Sequence, residues 1–217
     1  MSAGPGSRLL LRLLQVRDRL RLRRLARLHP GLRIHPTASS NFAVARFDLA
    51  PGAELEIGPG VVTERRAGQV CFRVDAGARV SIGAGSWLYV EVERIRLAAY
   101  AGARISVGRD CWLNGCQLSA KLRVEVEDGA MVGPGTRVYD SDQHPLDQET
   151  PEQSAAVRIG ACSWVASDVT VMRGSEIGEH CVVGARSLVT GRIEPHSLAF
   201  GVPARVHGRV GNRRAFL

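Results

Sequence analysis

Aromatic residues make up only 5% of this 217-residue chain, so its interior cannot rest on large interlocking rings. Long apolar runs are missing too: no stretch approaches the roughly 20 residues of a membrane span. The leucine-rich start is broken by Arg12, Arg17 and Arg19 and lacks the uninterrupted core of a secretory signal. The chain is therefore expected to be cytoplasmic. Its five cysteines (Cys71, Cys111, Cys116, Cys162, Cys181) are an odd number without a Cys-x-x-Cys pair. This spacing indicates neither a disulfide framework nor a structural zinc site. What is abundant is glycine, 24 residues, in a chain that is 45% hydrophobic. That balance fits one domain of tightly turning, regularly stacked structure.

Acidic residues are scarce at one end. Residues 1–35 hold nine arginines against the single acid Asp18, which equals the formal charge of +8 of the whole chain. The remainder is neutral. Leu9, Leu13, Val16 and Leu20 recur at helical spacing, with Arg8, Arg12, Arg19 and Arg23 beside the stripe and Arg17 and Arg24 on its other border. Leu10, Leu14, Leu25 and Leu28 widen the apolar surface, and Pro30-Gly31 stops the helix. Two readings stand: a helix packed on its own domain or a neighbouring subunit, or an interfacial helix on an anionic membrane surface. Nucleic acid is not an expected partner, because no aromatic residue interleaves the arginines for base stacking.

From Phe47 to Val138 the sequence resembles itself every 25 residues. Phe47, Phe72, Leu97 and Leu122 share one phase; Leu49, Val74, Ala99 and Val124 another; Ile57, Ile82, Val107 and Val132 a third, each of the last followed by Gly. Trp87 and Trp112 also coincide. Pairs such as Leu55/Ile57, Val80/Ile82 and Ile105/Val107 have strand alternation over very short lengths. Short strands at a fixed long period need stacked neighbours to bury their apolar side, which makes each unit a solenoid coil.

From Val157 the period becomes six. Ile159, Val165, Val171, Ile177, Val183 and Val189 are the bulky members, and Val157, Ser163, Val169, Ser175, Cys181 and Ser187 precede them by two. Helices do not repeat at six. A triangular coil of three short sides does, with aliphatics inside and smaller residues at the corners. The 25-residue coils exceed eighteen by seven, and the surplus must leave as longer sides or protruding turns.

Between the two regimes lies a segment that fits neither, from Tyr139 to Pro151. Loops on rigid scaffolds often carry chemistry, and His144 is the one group in this loop that titrates near neutral pH. Asp140 or Asp142 could fix the imidazole tautomer and leave the other nitrogen to take a proton from an acceptor hydroxyl. A plain polar turn is the competing reading.

The six-residue pattern resembles the hexapeptide repeat of left-handed parallel β-helix proteins. Residues 126–206 resemble in particular the hexapeptide-repeat acetyltransferases that modify galactosides, maltose, nodulation oligosaccharides and surface polysaccharides. The resemblance rests on Val132-Gly-Pro followed by a loop ending in His144-Pro145, on Ser163-Trp-Val-Ala-Ser167, on Val183-Gly-Ala-Arg-Ser-Leu-Val-Thr190, and on the closing Gly201-Val-Pro-Ala-Arg-Val206. It implies His144 as general base and acetyl-CoA as co-substrate, with no metal. Ser167, Ala185 and Thr190 would line the pantetheine channel with Trp164 beside it, and Arg205 and Arg209 would meet the CoA phosphates. Asn114, thirty residues before His144, is implied as an acceptor-sugar contact, with an Asn-Gly turn as the alternative, and Asp142 is placed with it on the acceptor side.

Two departures bear on this. The Lys that often follows the Thr is Gly191, with Arg192 next, and the second basic residue after Arg205 is displaced to Arg209. The resemblance further implies a homotrimer with sites between adjacent prisms and a sugar or glycan acceptor. A non-catalytic β-helix scaffold and a zinc carbonic anhydrase are the alternatives on this fold; the latter needs three closely placed His ligands, and His180 and His196 sit in turns without ligand spacing. The expected organisation is a basic amphipathic helix over residues 1–36, a left-handed β-helix over 37–206, and a tail over 207–217.

Overall fold

The computed structural model describes residues 5–216, and side chains from residue 9 to 215. Arg8, which the sequence places beside the leucine stripe, lies outside the described side chains. Helix α1 spans Pro5–Leu28, and the rest winds into three sheets of eight, eight and seven strands, parallel except for the last strand of one eight-stranded sheet. Each coil visits the three faces in the same order. In one coil these strands are Glu54–Ile57 on face one, Val62–Thr63 on face two and Val70–Val74 on face three. Successive coils then stack in register.

The inward columns explain the stacking. Leu55, Val80, Ile105, Val124 and Val157 lie over one another on face one, all buried. On face three the inward column runs Phe47, Phe72, Leu97, Leu118, Val138, Val171, Val189. Its members shrink from Phe to Val as the coils shorten, because a smaller triangle encloses less volume to fill at close-packed density. Corners are closed by small polar residues that bridge coils: Ser163 Oγ donates to Gly178 O at 2.7 Å and accepts from Cys181 N–H at 2.9 Å. Gly83 shows how tight these corners are, since a Cβ there would stand 2.4 Å from Gly108 O.

The 25-residue period ends one coil earlier than the sequence suggests. Leu55 pairs with Val80 and Val80 with Ile105, but Ile105 pairs with Val124, only 19 residues on. Leu97 faces Leu118 rather than Leu122, Ala99 faces Ala120 rather than Val124, and Val107 faces Val126 rather than Val132. Leu122 is 49% exposed. Two turns shorten: from face two to face three, residues 90–94 in one coil give way to Gly115-Cys116 in the next, and from face three to face one, residues 100–103 give way to Lys121-Leu122.

The two ends are closed differently. α1 lays Asp18, Leu22 and Leu25 on the first coil, where the carboxylate of Asp18 receives two hydrogen bonds from Arg65, both 3.0 Å. The first solenoid strand, Leu32–Ile34, begins before residue 37. At the other end Ser197–Gly201 and Ala204–Arg209 form an antiparallel pair that continues past residue 206. The tail then returns along the prism, where Arg213 N–H donates to His180 Nδ1 at 3.1 Å.

Outward residues give each face its own chemistry. Face one is a ladder of opposite charges, including Arg158 between Glu127 and Glu176 and Arg79 on Glu54. Face two stacks Val62, Trp87, Trp112, Met131, Trp164, Val182 and Leu198 in one apolar column. Trp87 and Trp112 are parallel at 5.5 Å. Face three places Arg46, Arg96 and Arg137 on alternate rungs of one column, with Cys71 and Gln117 between.

Candidate active site

The loop over residues 140–156 leaves the prism at the corner from face three to face one, between Arg137–Tyr139 and Val157–Ile159. Its root is Asp140, fully buried, whose carboxylate accepts the backbone N–H groups of Lys121, Leu122 and Arg123 at 2.8, 2.7 and 2.6 Å. Above the root the two arms of the loop pair: Ser141 bridges Ser154, and Asp142 N–H donates to Gln153 O at 3.0 Å. Two ion pairs hold this neck. Arg173 Nε, one coil along, lies 2.5 Å from Asp142 Oδ1, and Lys121 Nζ lies 2.7 Å from Glu152 Oε1. Lys121 also donates to Gln143 O at 3.1 Å. His144 follows directly on this braced neck and is exposed.

These contacts occupy the acids that the sequence offers for the imidazole. Asp140 spends its oxygens on three amides. Asp142 is taken by Arg173 and by the N–H of Gln153, and Arg173 holds its carboxyl below the ordinary carboxylate range. Glu152 is lowered too, first by its hydrogen bond to Lys121. Sequence reading missed Glu152, Lys121 and Arg173, since the pairs join residues 31 apart and leave no local motif.

The remaining candidates fall on two corners and one face. Thr190 is exposed at the same corner as His144, just beyond Leu188–Val189. Ser167 and the exposed Ala185 lie on the opposite side of face three, at the corner from face two. Asn114 ends a face-two strand at that same corner, its Oδ1 buried and without a hydrogen-bond partner. Within one chain Asn114 and His144 therefore stand at different corners. Trp164 is 42% exposed on face two with the Arg213 guanidinium 5.5 Å from its ring centre. Arg205 and Arg209 are exposed on the closing hairpin.

The cysteines belong to the packing. All five are buried, and burial pushes the Cys111 thiol to about 11 and that of Cys116 to about 12. Such thiols are protonated at neutral pH and poor nucleophiles. Among the described residues no three His, Cys, Asp or Glu side chains are grouped to hold a metal. His180 and His196 stack at 4.9 Å, and Nδ1 of each meets backbone, of Arg213 and Val210 respectively.

No family model matches the chain. It is 32% identical over 94 residues to a probable acetyltransferase of Mycobacterium tuberculosis, covering 41% of this chain and 31% of that protein. It is 45% identical over 62 residues to a putative lipopolysaccharide biosynthesis O-acetyl transferase of Escherichia coli K12, covering 29% and 31%. The chain thus spans about a third of the length of these relatives. Among solved structures, the polySia-specific acetyltransferase NeuO superposes with a TM-score of 0.64 at 20% identity, over 82% of this chain and 74% of that one. A hexapeptide-repeat acetyltransferase of Vibrio cholerae, complexed with acetyl coenzyme A, gives 0.52 at 22%, over 63% and 72%. In fold the chain is a left-handed parallel β-helix like the hexapeptide-repeat acetyltransferases, and in sequence it is similar to proteins named as acetyltransferases.

Proposed function

We propose that this chain is an acyltransferase that moves an acetyl or other acyl group from acyl-CoA to a hydroxyl of a sugar in polysaccharide or glycolipid biosynthesis, with His144 as general base. The observation that carries the reading is the His144 loop: the one long break in the coil is braced by Asp140, by Arg173 on Asp142 and by Lys121 on Glu152, and presents an exposed imidazole at its neck. A bracing of this kind suits a base that must be held in one geometry.

The chemistry needs no covalent intermediate. His144 takes the proton of the acceptor hydroxyl as its oxygen bonds to the thioester carbonyl carbon; the C–S bond breaks, and the proton passes to the departing thiolate. The co-substrate is an anion, and the residues present fit it. Arg205 and Arg209 are exposed guanidiniums suited to phosphate, and Arg46, Arg96 and Arg137 make face three, between the two candidate corners, electropositive.

The split of candidates between two corners supports an assembly in which His144 and Thr190 of one copy meet Ser167, Ala185 and Asn114 of the next. A homotrimer provides this, and the apolar column of face two is the surface that self-association would cover. An assay of thiol release from acetyl-CoA with a panel of glycans tests the reading. Release that depends on a glycan hydroxyl is expected; an unchanged background with every acceptor and acyl-CoA would overturn it.

A further inference from the structure

The leucine stripe of α1 is not the face that packs. Asp18 and Leu22 are buried against the first coil with Leu25 beside them, whereas Leu9, Leu13, Val16 and Leu20 are 62, 60, 58 and 58% exposed. At about 100° per residue, the mean directions of the two sets are roughly opposite one another. The helix thus has a second apolar side, turned away from the prism.

Charge brackets that side. Arg12 and Arg23 flank the stripe on one edge and Arg17 and Arg24 on the other, all exposed. The only acid within Pro5–Leu28 is Asp18, and it is turned inward onto Arg65. Among the described residues no helix is long and apolar enough to cross a membrane. We infer that α1 is a peripheral docking element for an anionic phospholipid surface: Leu9, Leu13, Val16 and Leu20 enter the boundary between headgroups and acyl chains, and the flanking guanidiniums meet lipid phosphates. Arginine suits that place because its stem can lie along the apolar layer while its head reaches water.

The assignment to lipid rather than protein follows from charge. Residues 1–35 carry a formal +8 and the rest of the chain is neutral, so a second copy would bring like charge to the same stripe. An anionic bilayer instead attracts each basic residue near its surface. Docking would occur at the N-terminal end of the prism, where α1 rests on Leu32–Ile34 and the turn Ser40–Val44. This docking is independent of the chemistry at His144.

The test is co-sedimentation of the full chain with vesicles of phosphatidylcholine alone and of phosphatidylcholine mixed with phosphatidylglycerol. Binding to the mixed vesicles that weakens with salt is expected. Leu13→Asp with Val16→Asp should lower the bound fraction about tenfold with circular dichroism, thermal midpoint and oligomeric mass unchanged, because neither side chain touches the prism. Arg12→Glu with Arg24→Glu should remove the preference for the anionic lipid. Three results would overturn the inference: no binding to either vesicle, binding indifferent to all four substitutions, or loss of an oligomer in the leucine-stripe variant while the parent chain ignores vesicles.

Discussion

Arg173 Nε lies 2.5 Å from Asp142 Oδ1, tying the loop that bears His144 to the next coil of the solenoid. A tie of this sort acts on catalysis through position. Arg173→Ala and Asp142→Asn are each expected to lower kcat about tenfold with little change in KM for acyl-CoA, and the double substitution to do no worse than either alone. Steady-state kinetics of the three variants check this. A carboxylate that bound the acceptor directly would instead raise the acceptor KM in Asp142→Asn alone.

The same two ion pairs set an acid limit. Asp142 and Glu152 are both held below their ordinary values, by Arg173 and Lys121 respectively. A lowered carboxyl contributes stability that is complete above its unfolded value and is lost as pH falls through the folded one. The loop neck should therefore stay closed at neutral pH and open in acid, below about pH 4. Protection of the Gln153 amide against hydrogen exchange should fall over that interval, before global unfolding.

Asp140 is a different matter, because it is buried with three amide donors on it. Asp140→Ala leaves those N–H groups without their acceptor and should cost about 3 kcal/mol or more. Denaturant unfolding measures it, with loss of the His144 loop geometry as a companion effect on kcat.

The proposed trimer joined through face two makes a further prediction. Trp112 stacks on Trp87 in the exposed apolar column, and Trp112→Glu puts a charge there without entering the core. The mass in solution should fall from trimer to monomer, and activity with it, since the candidate residues lie at two corners of each prism. An unchanged trimer would place the interface elsewhere.

How much of this was legible in the sequence differs from element to element. The six-residue column from Ile159 to Val189 announces itself because every inward position repeats the same packing problem. The fourth members of the longer repeat mislead, since Val124 and Val132 are inward-facing in both registers and hydrophobicity does not report which strand lies above. Only the shortened turns at Gly115-Cys116 and Lys121-Leu122 decide that, and two residues each carry little signal. His144 stood out by breaking the period. Its supports did not, because Asp140 acts on backbone amides and the pairs Arg173–Asp142 and Lys121–Glu152 close only when coils stack. The stripe of α1 was legible as apolar, while its outward direction required knowing that Asp18 turns inward to Arg65.

His144 is the proposed base, and one substitution tests it most directly. His144→Ala removes an exposed side chain and should leave the fold and the oligomeric mass intact. The rate of acceptor-dependent thiol release from acetyl-CoA should fall by about 10²–10⁴, with acetyl-CoA binding retained. Turnover equal to that of the parent protein would contradict the assignment.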